Sequence, residues 1–185
     1  MCAVRLFLQI GRRHHAPPQQ ELDSLYPCRT RCGITVTTTL TDAGEPVGFT
    51  ANSFTSVSLD PALVLVCIAE SALGYQAFRT ASRFCVNVLA DHQREVSNTF
   101  ASRGAEKFAS VAWRSGATGA PVLSDVAAYF DCVPHQWADA GDHGILIGRV
   151  VDFQARDAVP LCYHRGRYSF LEAPGSLPQT AGVQS

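Results

Sequence analysis

Residues 33–41 read GITVTTTLT, and this run decides the fold class. It is dense in β-branched residues, which suit a pleated, half-buried surface. Ile34, Val36, Thr38 and Leu40 recur at every second position, so an extended strand shows them on one face. Asp42-Ala43-Gly44-Glu45-Pro46 then has turn chemistry, and a second strand follows from Val47 toward Asn52. Ala62–Ala69, ALVLVCIA, is short, continuously apolar and bounded by Pro61, the pattern of a strand buried on both faces.

The same pattern continues outward. Arg83 to Leu89 reads as a strand, as do 108–113, 126–137, 145–153 and 160–164. Two helices interrupt them, one near Ala72 to Thr80 and one from an Asp91 N-cap through about Arg103. Many short strands between turns predict a mainly β protein, a barrel or sandwich with a few helices. A dinucleotide-binding sheet would need helices between most strands and a Gly-rich turn, and neither is present.

Bulk properties set the class. The chain has 185 residues, 46% hydrophobic and 17% charged, enough for a packed core. A formal net charge of −1 gives no global pull toward nucleic acid or anionic membrane. Lys107 is the only lysine, so nearly all positive charge is arginine. The seven cysteines are scattered, and four sit in apolar runs, where a thiol acts as a small hydrophobe. That predicts a reducing cytoplasm and neither a disulfide framework nor a metal site. The longest apolar run, Ala62–Ala69, is too short for the roughly 20 residues of a membrane span. The N-terminal stretch lacks a secretory cleavage site; its lack of acids before Glu21 leaves organelle targeting as an alternative. Residues 1–32 read as an extension, 33–171 as one domain and 172–185 as a flexible tail.

Four stretches could carry chemistry. Gly48 to Pro61, GFTANSFTSVSLDP, crowds Thr50, Asn52, Ser53, Thr55, Ser56 and Ser58 ahead of a buried strand. Such groups bind a phosphate or the polar edge of a heterocycle, but they also cap turns, and composition alone favours the turn. Gly141-Asp142-His143-Gly144 offers a histidine between glycines that let a ring approach; a loop histidine with no task fits equally. Tyr163-His164-Arg165-Gly166-Arg167-Tyr168 suits a phosphate-bearing aromatic ligand, or a plain exposed hairpin. Ser97–Ala101, SNTFA, places Phe100 on the second helix, where core packing is the default. No catalytic triad order, paired carboxylates, HExxH or Walker sequence appears.

Seven motifs occur in order: GITVTT, TANSFTSVSLDP with LVLVCI, RFCVNVL, VSNTFA, GAPVL, AGDHGILIGRV and PLCYHRGRY. Together they resemble the short-chain flavin reductases, the reductase components of two-component flavin monooxygenases, from Gly33 to about Leu171. RFCVNVL, KFASVAW and the Asp131-Cys132 pair are similar to members that serve aromatic-ring hydroxylases. The resemblance implies an FMN-binding split barrel of Greek-key type that binds FMN or FAD and is reduced by NADH or NADPH. It implies a homodimer, and a separate flavin-dependent monooxygenase that receives the reduced flavin. It further implies that Gly48, Phe49, Thr50, Asn52 and Ser53 lie along the flavin, continued by Ser56, Val57 and Ser58. Cys67, Ile68 and Ala69 would end a strand beside it, and Thr99, Phe100 and Ala101 would approach from the helix. His143 would face the nicotinamide as the catalytic side chain, with Arg165, Gly166 and Tyr168 holding that nucleotide.

One departure stands out. The family usually opens with a helix of the type FRxxMxxFxTG, whereas this chain has LYPCRTRC there, with Pro27 inside it and Cys32 in place of a small hydroxyl residue. The implied reaction is hydride transfer from nicotinamide C4 to flavin N5, which needs no protein nucleophile. The alternatives are a flavin-binding relay or storage module without turnover, an oxidase of the pyridoxamine-phosphate type, and a reductase of another acceptor such as a corrinoid or metal chelate.

Overall fold

The computed structural model describes residues 32–104, 106–164 and 167–169. Its centre is a seven-stranded antiparallel sheet in the order β3-β2-β6-β9-β10-β5-β4. These strands are β2 (Thr35–Leu40), β3 (Pro46–Ala51), β4 (Thr55–Leu59), β5 (Ala62–Ala69), β6 (Phe84–Val88), β9 (Ala128–Ala140) and β10 (His143–Ala155). A three-stranded sheet joins β1 (Cys32–Gly33), β11 (Cys162–His164) and β12 (Arg167–Ser169), and β7 (Trp113–Ser115) pairs with β8 (Pro121–Leu123). Among the described residues two helices, α1 (Tyr75–Arg79) and α2 (Arg94–Ala101), complete it.

The sheet curls into an open barrel. One cluster fills its interior, with Val64, Val66, Ile68, Phe84, Val86, Phe130 and Leu146 around Phe78 of α1. A second lies between the outer face of β2 and β6 and α2, with Val36, Cys85, Leu89, Phe100, Leu123 and Leu161. β2 is therefore covered on both sides, and its threonines are buried rather than solvated. Buried hydroxyls mostly find partners, although the Thr37 hydroxyl has none among the described residues. Thr35 donates to the Ala51 carbonyl at 3.0 Å, Thr39 to that of Arg83 at 2.6 Å, and Thr38 to that of Pro121. Buried Asn87 adds a fully used amide. Nδ2 donates to the Val36 carbonyl at 3.0 Å, and Oδ1 accepts from the Leu123 N–H at 2.9 Å.

The structure corrects several elements read from the sequence. Residues 55–59 form β4, although composition alone favoured a turn there; alternate exposed and half-buried positions suit an edge strand. The strand expected at 108–113 is mostly turn, and β7 begins only at Trp113. Asp91 does not cap α2. Its N–H donates to the Val159 carbonyl at 2.8 Å, and Gln93 is the N-cap. Gln93 Oε1 accepts from the Ala90 N–H at 3.0 Å and Nε2 donates to the Ser124 carbonyl at 2.9 Å, so burial recruits a glutamine here. The first helix starts at Tyr75, after turns over residues 70–74.

β3 and β4 are both edge strands, and β3 comes near β5 without pairing to it. The barrel is split along this seam. Ser53, just past β3, bridges it: its Oγ accepts from the Cys67 N–H at 3.0 Å and lies 3.2 Å from the Cys67 carbonyl oxygen.

Candidate active site

The seam opens into a cleft of about 360 Å³, within the roughly 300–1,000 Å³ of small-molecule sites. Gly48 through Ser53 form one wall, Cys67 and Ala69 of β5 the opposite side, and Ser71 through Gly74 a lip. Phe100, Ala101, Ser102, Arg103 and Lys107 close one end, and His143 stands at another.

Local sequence explains each wall. Gly48 is required by close approach. A Cβ there would lie 2.9 Å from a Phe100 ring carbon and 3.0 Å from the Thr37 carbonyl oxygen. Thr50 Oγ1 donates to the Ser97 carbonyl at 2.7 Å, fastening β3 to α2. Two hydroxyls of the wall, Thr50 and Ser53, thus serve the fold first. What β3 offers the cleft is its open edge, since β2 is its only strand partner among the described residues.

His143 reaches the cleft because β10 pairs it with Ala69 of β5, while the Glu70 N–H donates to the Asp142 carbonyl at 3.0 Å. The His143 ring contacts the Asp142 carboxylate at 2.7 Å, and that hydrogen bond holds the Asp142 carboxyl below its usual range. The hairpin behind it is braced. Arg79 of α1 grips the Asp139 carboxylate at 2.9 and 3.3 Å, and Trp137 Nε1 donates to the same carboxylate at 2.9 Å. Gly144 lies under the Trp137 ring, where a Cβ would overlap the indole.

The structure therefore gathers Gly48, Phe49, Thr50, Asn52, Ser53, Cys67, Ala69, Phe100, Ala101 and His143 around one cleft. It places the other candidates elsewhere. Ile68 points into the barrel and is fully buried. Thr99 is half-buried on α2 outside the lining. Ser56, Val57 and Ser58 lie on β4, with Val57 on the exposed side. Tyr168 pins β12 to α2: its hydroxyl donates to Asn98 Oδ1 at 2.7 Å, and the Arg94 guanidinium sits 4.9 Å from its ring centre. Arg165 and Gly166 lie outside the described residues. Residues 71–74, Ser102, Arg103 and Lys107 also line the cleft, and sequence reading passed over them. Lys107 alone carried a signal, as the only lysine. Cys85 and Cys132 are buried thiols whose pKa burial pushes well up, which makes them packing groups.

The flavin reductase like domain matches residues 29–172. The chain belongs to this family. It is 52% identical over 136 residues to a probable flavin reductase of Rhizobium meliloti, covering 74% of this chain and 44% of that one. It is 49% identical over 136 residues to the reductase component of a flavin-dependent trigonelline monooxygenase of Acinetobacter baylyi, again 74% of this chain and 44% of that one. The chain thus spans about half the length of these curated relatives. Among solved structures it matches the NADH:FAD oxidoreductase SgcE6 of Streptomyces globisporus, in complex with NAD and FAD fragments. That match has a TM-score of 0.74 and 33% identity, covering 79% of this chain and 88% of that one. The split barrel of this flavin reductase like domain is the family fold. Among its described residues no helix is long and apolar enough to cross a membrane.

Proposed function

We propose that this chain reduces FMN or FAD with NADH or NADPH and passes the reduced flavin to a separate flavin-dependent monooxygenase. The observation that carries the reading is the seam cleft, whose lining holds main-chain edges, hydroxyls, aromatic and small apolar groups, and, among the described residues, no carboxylate. These features fit a flavin. The open edge of β3 supplies N–H and C=O groups for a flat polar heterocycle, and Phe49, Ala69, Ala72 and Leu73 supply apolar contact. The described lining, without a carboxylate, does not oppose the negative charge of a reduced flavin.

When bound, flavin supplies the hydride acceptor, at N5, for nicotinamide C4. The chain's own work is positioning. β3 and β5 hold one ring, Gly48 lets Phe100 approach it, and His143 orients the nicotinamide or supplies a proton at the mouth. Arg165, Gly166 and Tyr168 are assigned to the nicotinamide nucleotide by family resemblance, as are Ser56, Val57, Ser58, Ile68 and Thr99 to the flavin. Residues 33–171 are the domain that does this, flanked by 1–32 and 172–185.

The site belongs to a homodimer in this reading. Leu63 and Leu65 of β5 and Ile145 and Ile147 of β10 share one sheet face with Cys67, Ala69 and His143. Val57, Leu59 and Val151 stand exposed on the same strands or their neighbour. A second copy on this face would cover apolar surface and border the cleft. The free cysteines Cys67, Cys85 and Cys132 support a cytoplasmic setting.

The test is NADH oxidation by the purified full chain with FMN, FAD and riboflavin supplied in turn. Steady consumption is expected. A single stoichiometric reduction would instead show a relay module, and no flavin binding with no acceleration would end the reading.

A further inference from the structure

A second cavity, of about 160 Å³, lies where β9 begins and β10 ends, beside β8 and the turn that follows it. His143 opens β10 at the seam cleft, whereas Gln154, one residue from the end of that strand, lines this cavity. Residues 143 and 154 lie eleven positions apart, roughly 35 Å of extended chain at about 3.3 Å each. Buried Val122, Leu123, Val126 and Ala128 form an apolar floor, and Arg114, Tyr129 and Arg156 stand over it.

The two guanidiniums are held by different means. Arg114 of β7 lies over the Tyr129 ring, with Cζ 5.2 Å from its centroid, and Nη1 donates to the Ser115 carbonyl at 3.3 Å. Among the described residues Arg114 forms no ion pair with a carboxylate. Stacking orders a planar fork without using the donors on its edge. Arg156 follows β10: its N–H donates to the Ala127 carbonyl at 2.8 Å, and its Nη1 meets the Asp125 carboxylate at 3.2 Å. Tyr129 is 7% exposed, and its hydroxyl donates to Asp152 Oδ2 at 2.9 Å. Burial pushes its pKa up, so the ring under Arg114 belongs to a neutral phenol.

This lining selects by charge, shape and size. Two guanidiniums outnumber the one lining carboxylate, Asp125, which disfavours a cation. A bare oxyanion would use the arginines and leave the floor and the ring uncovered; a neutral apolar body would do the reverse. A carboxylate on a small flat apolar body uses both. The volume falls below the roughly 300 Å³ at which ordinary small-molecule sites begin, too small for a flavin or nicotinamide nucleotide.

We propose that this cavity is a second ligand site, which takes a small planar monocarboxylate of benzoate size, its carboxylate on Arg114 and Arg156 and its body against Tyr129 and Val126. The proposal does not depend on the flavin reading of the cleft.

Equilibrium dialysis of the full chain with labelled benzoate tests it, with benzamide, inorganic phosphate and FMN as competitors. A Kd of about 1 mM is expected, the scale of a small ligand with one charge-assisted contact. Benzamide and phosphate should compete about tenfold more weakly than unlabelled benzoate, and saturating FMN should not displace it. Arg114→Gln should weaken benzoate about tenfold and Arg156→Gln several-fold, while Arg114→Lys recovers only part because an ammonium lacks the planar fork. Both arginines are exposed, so either variant carries the test if the other does not fold. No binding at about 10 mM benzoate, well above the expected Kd, overturns the proposal. So does displacement by FMN, which would put benzoate in the seam cleft, or unchanged affinity in both Gln variants. Benzamide competing as well as benzoate would leave ring stacking without an anion site, and phosphate competing as well would leave a plain oxyanion site; each overturns the carboxylate assignment.

Discussion

Gly48 and Phe100 meet so closely that a Cβ on Gly48 would stand 2.9 Å from the phenyl ring, with the Thr37 carbonyl oxygen behind it at 3.0 Å. The contact joins β3 to α2 at the cleft wall. Gly48→Ala must push the ring or bend the strand, an overpacking cost of about 1–3 kcal/mol. Chemical denaturation should show that loss, and flavin affinity should fall with it. Wild-type stability and affinity in Gly48→Ala would show that the wall yields freely.

A second glycine braces the other end. Gly144 lies under Trp137, and an added methyl would displace the indole. The ring also edges onto Tyr75 with centroids 5.5 Å apart and donates to Asp139. Gly144→Ala is expected to cost about 3 kcal/mol, the upper part of the overpacking range. Since His143 is the preceding residue, NADH oxidation should fall more than the melting temperature alone would explain. Equal turnover per folded molecule would separate the brace from the site.

His143→Ala should slow NADH oxidation by about tenfold through lost positioning, while flavin affinity changes little. Parallel loss of both would move His143 from the nicotinamide side to the flavin side.

Ser56→Ala and Ser58→Ala address β4, which lies outside the cleft lining of the single chain. Both should weaken flavin binding a few-fold if the proposed homodimer forms, since a second copy would bring β4 near the cleft. Unchanged affinity in a dimer confirmed by light scattering would remove β4 from the site.

The Arg79–Asp139 pair should make stability depend on pH in acid. The Trp137 hydrogen bond and the Arg79 charge hold the Asp139 carboxyl below its ordinary value of 3.8. The folded pKa is thus depressed, so the contribution is present above the ordinary value and is lost as pH falls through the folded one. Arg79→Gln should lower the melting temperature slightly at neutral pH and leave it unchanged well below pH 3.8. The same drop at both pH values would mean that Arg79 acts by packing on Trp137.

Strand content was legible wherever residues announced two buried faces or a clean alternation. Ala62–Ala69 is β5 with the boundaries its composition implies, but only the Val64, Val66 and Ile68 face is fully buried; Leu65, Cys67 and Ala69 stay half-exposed, so the expected burial on both faces does not hold within the single chain. Residues 55–59 were not legible, because serine and threonine serve turns and edge strands equally well. Asp91 failed as a cap for a related reason: a short polar side chain marks a helix start, but the Ala90–Pro160 bridge holds this backbone against β11's approach instead.

By itself the sequence determined the local alternation, the turns and the order of motifs, because these depend on each residue's neighbours along the chain. The seam was decided only in three dimensions. β3 stops short of pairing with β5, and this opening alone brings Gly48, Cys67, Lys107 and His143 to one cleft from four separate segments. Whether a hydroxyl serves a ligand or the fold was settled the same way: Thr50 and Ser53 are bound to Ser97 and Cys67, partners far along the chain that sequence spacing cannot reveal.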